Sequence, residues 1–320
     1  MASPAHPHTV YIDGMAMWSP AWPDWPSAAA AFNNDSWAPP ATAPPRPAPV
    51  LLAANERRRA PDSVLLALQV AQAAVAVSGH AAHTLASVFT SAYGDLPIVD
   101  ALCRGLASDP LMLSPTRFHH SVHNAASGYW TMASGSHASS TALAAAQHSF
   151  AAGLLEAATL CVAEQQPVLL VGYDTAACGP LASANPSRGL LAVALVLAPL
   201  AGPTSRWRLG WGVALAVAAE AAAPPGGAGD AHDPGCGMSA PRSAAAQACA
   251  NNAMADALPL FEALARGQAS DLTLALAPTL PFPCPFPFPF PLPLPLPLPL
   301  PPLAPSSVQL HLHLTPMPAA

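Results

Sequence analysis

An alternating proline tract constrains the C-terminal part of this chain more than any other sequence feature. Between Pro281 and Pro302 proline occupies nearly every second position, interleaved first with Phe and then with Leu. Proline has no amide hydrogen and its φ is fixed, so the tract can form neither a helix nor a central strand. We expect an extended, polyproline-like arm. We therefore predict that residues 278–320 are a disordered low-complexity tail that can be removed without loss of the core.

The composition excludes two broad classes of protein. Of the 320 residues, 52% are hydrophobic and only 9% are charged; every basic residue is arginine, and the net charge is −6. This acidic balance lacks the basic surface that nucleic-acid binding requires, so we predict no nucleic-acid partner. The most apolar run, Leu190–Leu200, contains a proline. It is also far shorter than the roughly 20 residues of a membrane span, so we predict no membrane span.

Targeting and redox signals are also absent from the sequence. The start MASPAHPHTV has no basic region followed by an apolar core, so no secretory signal is visible. The six cysteines are scattered without CxxC spacing, which argues against a zinc site and against a disulfide framework. We therefore expect a cytoplasmic protein with reduced thiols.

Short apolar runs alternate with helical patterns over the first two thirds of the chain. Val168–Val171 and Leu190–Leu197 are apolar at every position and predict central strands buried on both faces. Helical spacing of apolar residues follows Asp62, which can cap a helix, and Gly79 is expected to end that helix. Strands that alternate with helices at this spacing indicate an α/β fold with a largely buried sheet.

We divide the chain into four parts on these patterns. They are a main domain at 9–222 with a proline-rich insertion at 38–49, a flexible linker at 223–242, a segment at 243–277 that completes the domain, and the tail at 278–320. The completing segment is predicted to contain a helix from Ser243 to Arg266, interrupted at Pro259, and a possible strand at Leu272–Leu276.

Three histidines, His119, His120 and His123, crowd one short segment of the sequence. His119 and His123 stand four apart, which on a helix would place both on one face, as in zinc sites. No acid or cysteine lies among them and Gly128 weakens the helix, so we predict no metal and no cofactor. The chain also lacks GxSxG, GxxxxGK[ST] and GxGxxG motifs, so hydrolase, P-loop and dinucleotide-binding functions lose their main support.

The segment from Ser114 through Gly172 resembles, without gaps, the N-terminal half of β-ketoacyl synthases. That family runs Ser-Pro, a short loop, Asn-x-x-(Ala/Ser)-Gly, a helix, a small-residue strand, the nucleophilic cysteine, a long helix and a hydrophobic strand. The counterparts here are Ser114-Pro115, Asn124 with Gly128, Ser140–Ala146, position 147, Ser149–Val162 and Val168–Val171.

The resemblance extends toward the N-terminus. Val10–Pro20 resembles the family's first strand and the turn after it, Arg57–Val77 its first long helix, and Ala86–Gly94 its second strand. Residues 9–200 are thereby covered. The resemblance implies a thiolase-like α/β fold, the N-terminal half of a ketoacyl synthase, with a layered αβα arrangement and a mixed sheet.

The departures from the family concern its catalytic groups. Ketoacyl synthases need a cysteine thiolate at a helix N-terminus, where the helix dipole lowers its pKa. Counted without gaps, that position is Gln147, whose amide cannot accept an acyl group as a thioester. The family's two catalytic histidines lie in its second half, and nothing after Leu200 resembles their motifs. We predict that His232, His311 and His313, in the linker and the tail, do not replace them, so the resemblance implies no catalytic residues in this chain.

Glutamine at this position is also what the chain-length factors of type II polyketide systems carry. A one-half ketoacyl-synthase-like protein of aryl-polyene systems is similar in length and in its Ser-Val-His-Asn-Ala-Ala segment. The resemblance therefore implies a non-catalytic subunit that forms a heterodimer with an active β-ketoacyl synthase in fatty acid, polyketide or aryl-polyene type chain elongation. An acyl carrier protein would be reached through that partner.

The resemblance also implies which residues face the partner. In the family, the small-residue strand before the nucleophile pairs with its twin across the dimer axis, and the loop after Ser-Pro reaches into the partner's pocket. The implied interface and tunnel residues are Arg117, Phe118, His119, His120, Ser140, Ala142 and Ala144. Two alternatives stay open. One is an acyl-transferring or acyl-binding enzyme that uses another group, such as Cys161 or His148, and the other is a truncated or decayed synthase.

Overall fold

Eight strands form one mixed sheet in the part of the chain that the structure describes. The computed structural model describes residues 8–42, 44–109, 111, 113–185, 187–217, 238–276 and 306–318. The strands are β1 (His8–Trp18), β2 (Ala86–Thr90), β3 (Ser140–Leu143), β4 (Val168–Asp174), β5 (Leu191–Ala198), β6 (Trp207–Val217), β7 (Ser270–Ala275) and β8 (Ser306–Pro316). Their order across the sheet is β3-β2-β4-β5-β1-β6-β8-β7.

The type of strand pairing changes once across the sheet, from parallel to antiparallel. Strands β3, β2 and β4 run parallel to one another. From β4 onward every neighbouring pair is antiparallel. The parallel part therefore brings the carboxyl ends of β2, β3 and β4 to one edge of the sheet, which is where α/β proteins place their ligand sites.

Helices occupy the connections between the strands. They are α1 (Trp25–Phe32), α2 (Ala54–Arg59), α3 (Asp62–Ser78), α4 (Leu96–Ser108), α5 (Pro115–Ser121), α6 (Ala125–Ser134), α7 (Ser149–Glu164), α8 (Leu181–Ala184), α9 (Ala244–Gln247) and α10 (Leu258–Arg266). Within the described ranges, no helix combines the length and the hydropathy that crossing a bilayer requires.

Alternate residues of the central strands belong to two separate cores. Leu170 of β4 packs in the core that contains Leu154 of α7. Its neighbour Val171 packs in the core that contains Leu68 of α3. Because successive side chains of a strand point to opposite faces, these two cores lie on the two sides of the sheet. The result is the layered αβα arrangement that the resemblance implied.

The two strands expected at the centre of the sheet are confirmed. Strand β4 lies between β2 and β5, and β5 lies between β4 and β1. Every residue of both strands is buried. Their continuous apolar sequence is explained by this position, since a strand covered by helices on both faces has no solvent side to carry polar residues.

Helix α3 crosses β1 at very close range and ends where the sequence predicted. A Cβ atom at Gly14 would collide with the carbonyl oxygen of Ala74, so the absence of a side chain at Gly14 permits this approach. Gly79 follows the helix with φ of 76°, a left-handed conformation that glycine adopts without strain. The prediction that Asp62 caps α3 was wrong. Asp62 is the first helical residue, and its carboxylate accepts a hydrogen bond from Arg46 instead.

The predicted disorder of residues 278–320 was wrong for the segment that forms β8. Strand β8 lies inside the sheet, paired with β6 on one side and β7 on the other. Leu310, Leu312 and Leu314 are buried, while the two histidines between them lie on the opposite face. The period of two that makes this a strand is present in the sequence, which is free of proline from Ser306 to Thr315. Residues 277–305, with the alternating prolines, lie outside the described residues.

The segment expected to complete the domain differs in detail from its prediction. A single helix interrupted at Pro259 was predicted, but α9 and α10 are separate and Pro259 lies in the first turn of α10. Proline is favourable there because its missing amide hydrogen would have no partner in the first turn of a helix. The possible strand at 272–276 is observed as β7. Most of the predicted linker, residues 223–237, lies outside the described residues.

Candidate functional site

Gln147 lies in a sharp turn between the end of β3 and the start of α7. Residues Ala146–His148 form one 3-10 turn, and Gln147 itself is exposed. Ala146 has φ of 49°, one of two positive values among the described residues other than glycine. Such a left-handed conformation costs about 1 kcal/mol or more in a residue with a side chain, and it is concentrated at functional sites.

Ser149 holds this turn in place. Its hydroxyl donates to the carbonyl oxygen of Ala146 at 2.6 Å and accepts from the amide of Ala145 at 3.0 Å. The backbone of the strand, turn and helix is therefore fixed on both sides of Gln147. A strand that turns abruptly into a helix presents the turn residue at the helix N-terminus, as a nucleophile requires, but the residue presented here is an amide.

Gln147 borders a cavity of about 270 Å³. The other side chains around it include Tyr93, Ser187, Asn251, Asn252 and Asp256. Among the described residues that line the cavity there is no histidine and no cysteine. The cavity therefore offers hydroxyl, amide and carboxyl groups, and it lacks the thiol and the imidazoles that a ketoacyl synthase uses.

Asp256 is an acid beside this cavity that sequence reasoning missed. The residue is half-buried, but its Oδ1 atom is shielded from solvent. Its Oδ2 atom accepts a hydrogen bond of 3.0 Å from the amide of Ala151, in the first turn of α7. Burial raises the pKa of Asp256 to about 8, against the opposing effect of hydrogen bonds from Ala151 and Phe150. The two residues in contact are 105 positions apart, so no local pattern in the sequence points to this pair.

Asp174, at the end of β4, is a second acid that sequence reasoning missed, and it is buried. Its carboxyl accepts hydrogen bonds from the hydroxyl of Ser91 and the amide of Ala92. Burial raises its pKa to about 7, although these hydrogen bonds favour the charged form. A signal was present here, since an acid directly after a buried parallel strand lies at the edge of the sheet where sites form.

The C-terminal histidines do not reach this region. His311 and His313 lie on β8, which β5, β1 and β6 separate from β4. With neighbouring strands about 4.8 Å apart, the separation is on the order of 20 Å. His313 pairs with Asp271 at 2.6 Å, and His311 makes a hydrogen bond with Thr273. His232 lies outside the described residues.

The two groups considered as alternative nucleophiles or bases have unfavourable surroundings. Cys161 is completely buried in the core beneath α7, and burial raises the pKa of its thiol to about 12. A thiol in that state is neither accessible nor ionised, so Cys161 is not a nucleophile. Burial lowers the pKa of His148, which leaves a neutral imidazole without a thiol partner at position 147.

The histidine-rich segment forms α5 and the start of α6, and it divides into exposed and buried residues. Arg117, Phe118 and His119 are exposed. His120 is buried, and its Nε2 atom lies 2.9 Å from the hydroxyl of Tyr129. His123 contacts the carbonyl oxygen of Ser91 at 2.8 Å. His120 therefore stabilises the packing of α5 on α6 and is not one of the surface residues of the predicted interface set.

Asn124 and Gly128 have structural roles at the start of α6. Asn124 precedes the helix, and its side chain makes no capping hydrogen bond. Its carbonyl oxygen accepts a hydrogen bond from the amide of Gly128. A Cβ atom at Gly128 would meet no atom within 4 Å, so the space around this residue does not require glycine in this chain.

The small-residue strand β3 lies at one edge of the sheet, with β2 as its neighbour. Ser140 accepts a hydrogen bond from the hydroxyl of Ser87 on β2 at 2.9 Å. The predicted strand over Ser140–Ala146 is shorter in the structure and ends at Leu143. Ala142 therefore lies within the strand, whereas Ala144 is exposed in the segment that follows it.

Large apolar side chains are exposed on α6, which contacts β3, and on or beside α5 and α4. Helix α6 contacts β3, α5 contacts α6, and α4 contacts α5. The exposed residues of this region are Leu106, Leu111, Phe118, Val122 and Met132, with exposed fractions from 44% to 95%. We call β3 together with these five side chains the β3 surface. Several exposed apolar residues beside an unpaired strand edge are typical of a surface that another protein covers.

Potential metal-ligating side chains are dispersed over the part of the chain that the structure describes. Across the described ranges, no group of three or more His, Cys, Asp or Glu side chains is arranged to hold a metal ion. His119 and His123, the pair with zinc-like spacing, are separated by the end of α5, because α5 stops at Ser121.

Comparisons with known proteins give the family of the chain. The sequence profile of the β-ketoacyl synthase N-terminal domain matches residues 22–267. A search of curated protein sequences returned no match.

Several solved structures have the same fold. A ketosynthase (ApeO) in complex with its chain length factor (ApeC) from Xenorhabdus doucetiae is similar at 18% identity and a TM-score of 0.62, over 95% of this chain and 98% of that chain. A type II polyketide synthase acyl-carrier protein in complex with its ketosynthase (AntDE:AntF) is similar at 13% identity and a TM-score of 0.55, over 66% of this chain and 69% of that chain. The ishigamide ketosynthase/chain length factor is similar at 14% identity and a TM-score of 0.52, over 66% of this chain and 67% of that chain.

These matches agree with the fold described above, a mixed sheet between helices in a thiolase-like ketosynthase arrangement. The family profile spans most of the chain, from the turn after β1 to the end of α10. The chain belongs to the β-ketoacyl synthase N-terminal domain family.

Proposed function

We propose that this protein is a non-catalytic, chain-length-factor-type subunit that pairs with an active β-ketoacyl synthase. The setting would be chain elongation of the fatty acid, polyketide or aryl-polyene type. The partner would supply the cysteine and the histidines and would bring the acyl carrier protein. The observation that carries the proposal is Gln147, which occupies the strained turn at the N-terminus of α7 beside a cavity without thiol or imidazole.

The β3 surface supports the pairing part of the proposal. Among the described strands β3 pairs with β2 alone, and its side chains are small, so the backbone of a second strand can approach its other edge closely. An unpaired edge of this kind promotes aggregation unless it is covered. Exposed Phe118 and Met132 lie on the adjoining helices, which gives the surface an apolar centre of the sort found in stable interfaces. A stable pairing should bury well over about 1,000 Å².

The relatives supply the chemical setting of the proposal. Two of the similar structures are described as a ketosynthase with a chain length factor, and a third as a ketosynthase with an acyl-carrier protein. Of these, the first covers nearly the same length as this chain. A glutamine at the position where the resemblance places the nucleophile fits the non-catalytic member of such a pair better than the catalytic one.

The proposal is tested by co-expression with a β-ketoacyl synthase encoded beside it. We expect the two proteins to co-purify, and we expect Ala144→Arg to abolish co-purification because it places a charge at the edge of the β3 surface. Ala201→Arg is the matched control. Ala201 is also exposed but lies in the loop between β5 and β6, and this variant should co-purify normally. Circular dichroism should be the same for both variants.

Two results would contradict the proposal. If the wild-type chain does not associate with the synthase, the pairing role is wrong. If the complex tolerates Ala144→Arg, the interface lies on another surface and the roles assigned to Arg117 and Phe118 are wrong as well.

A further inference from the structure

Helix α7 begins without a capping side chain of its own. The residue before it, His148, makes no side-chain hydrogen bond to the first turn. The first amides of an α-helix have no partner within the helix and must be satisfied from outside. Together with the helix dipole, they make this end of α7 a site that favours negative charge.

Asp256 satisfies that end of the helix from a distant part of the chain. It lies in the 3-10 turn Ala255–Ala257, which contacts α7 and the turn of Gln147. Its Oδ2 atom accepts the amide hydrogen of Ala151, and the amide of Phe150 also favours its charged form. Its Oδ1 atom is buried as well. The carboxyl group of the protein itself therefore occupies the position where the helix would stabilise an anion.

A carboxyl group at this position opposes nucleophile activation in two ways. A reactive cysteine depends on the amides and the dipole at a helix N-terminus to stabilise its thiolate, and Asp256 already engages amides there. When Asp256 is ionised, its charge also disfavours a second negative charge nearby. Both effects would therefore act on a cysteine placed at position 147.

We propose that Asp256 is a built-in occupant of the anion position at the N-terminus of α7, and that it prevents this site from activating a nucleophile even when position 147 carries a thiol. The inference rests on the proposed non-catalytic role and gives that role a second cause beside Gln147. It concerns the chemistry of this chain alone, so it can fail while the pairing with a synthase holds.

The test measures the reactivity of a thiol placed at position 147. Gln147→Cys is prepared alone and combined with Asp256→Asn or with Asp256→Ala. Alkylation by iodoacetamide is followed as a function of pH, and peptide mass spectrometry reports residue 147 separately from the exposed Cys103. No partner and no substrate are needed, so the result is independent of the co-purification experiment.

We expect the single variant to have a thiol pKa at or above the ordinary range for cysteine. Asp256→Asn removes the charge that the carboxyl group carries above its pKa of about 8, so its effect on the thiol should appear at alkaline pH. Asp256→Ala also frees the amides, so it should lower the thiol pKa and have the larger effect. Below the thiol pKa, alkylation becomes faster by about tenfold for each unit by which that pKa falls, apart from a smaller opposing change in intrinsic nucleophilicity. If the variant with Asp256→Ala does not fold, the proposal is decided by comparing Gln147→Cys alone with Gln147→Cys combined with Asp256→Asn.

Glu164→Gln combined with Gln147→Cys is the matched control. Glu164 is an exposed acid at the other end of α7, and its removal should leave the alkylation profile unchanged. The proposal is overturned if the single variant already has a depressed thiol pKa, or if neither change at Asp256 alters the profile. An equal effect of Glu164→Gln would also overturn it, because net charge alone would then explain the shift.

Discussion

The hydroxyl of Ser91 donates a hydrogen bond of 3.0 Å to the carboxyl group of Asp174. The two residues lie at the carboxyl ends of β2 and β4, which run parallel and side by side. This contact fixes an acid at the edge of the sheet where the turn of Gln147 also lies. The hydrogen bonds from Ser91 and Ala92 therefore hold a polar group at the end of β4.

The acids Asp174 and Asp256 should make the protein less stable as the pH rises through the neutral range. The pKa of Asp174 is raised to about 7 and that of Asp256 to about 8, from an ordinary value of 3.8. Between the ordinary and the raised values the folded protein binds more protons than the unfolded chain, so the free energy of unfolding decreases with increasing pH. Each unit of pKa difference corresponds to about 1.4 kcal/mol.

Denaturation in urea at a series of pH values checks this expectation. Asp174→Asn, which resembles the protonated acid, should flatten the decrease, and Asp35→Asn should not, because Asp35 is exposed. A free energy of unfolding that rises from acidic to neutral pH in the wild-type protein would contradict the assignment of raised pKa values.

Catalysis should be absent from the isolated chain. We expect no condensation of acyl and malonyl thioesters by the purified protein, because position 147 is glutamine and the histidines of β8 lie far from it. Gln147→Cys should remain inactive for the second reason. Product analysis by mass spectrometry checks both the wild-type chain and the Gln147→Cys variant, with an active synthase as the positive control. Turnover by the wild-type chain would contradict the non-catalytic interpretation.

Phe118 should set the depth of the partner's tunnel in the assembled complex. It is 65% exposed on α5, and replacement by alanine would remove a large side chain from the end of the space in which the product grows. We expect Phe118→Ala to shift the complex toward longer products without loss of pairing. Met132→Ala, an exposed residue of the same surface on α6, is the control and should leave product length unchanged. An unchanged length in both variants would exclude Phe118 from the tunnel.

The two glycines at 14 and 128 should respond oppositely to substitution by alanine. A Cβ atom at Gly14 would collide with the backbone of α3 at Ala74, so Gly14→Ala should lower the free energy of unfolding by about 1–3 kcal/mol. Gly128 lies within α6 with free space around it, so Gly128→Ala should raise that free energy by about 0.5–1 kcal/mol. Thermal unfolding of the two variants gives the comparison, and equal shifts of the same sign would contradict it.

Local patterns in the sequence predicted the centre of the fold well. The apolar runs of β4 and β5 and the glycine that ends α3 were visible, because each depends on a few consecutive residues. Asp256 was not, since its partner Ala151 is 105 residues away and only the tertiary fold brings them together.

Strand β8 was missed for a different reason. The prediction extended the behaviour of the alternating prolines to the end of the sequence, although proline is absent from Ser306 to Thr315 and apolar residues alternate with polar ones there. The composition of the neighbouring tract outweighed a local pattern that was itself sufficient to predict a strand.

The place of β8 in the sheet has a consequence for biosynthesis. Strands β6 and β7 are not neighbours, and each pairs with β8, which the ribosome makes after both. Strand β7 therefore leaves the ribosome with no strand to pair with, and its hydrogen-bonding groups must wait for a segment more than thirty residues farther along the chain. Such long-range closure is slow and exposes an open edge meanwhile. During synthesis this part of the protein should depend on chaperones more than the part built around β4 and β5.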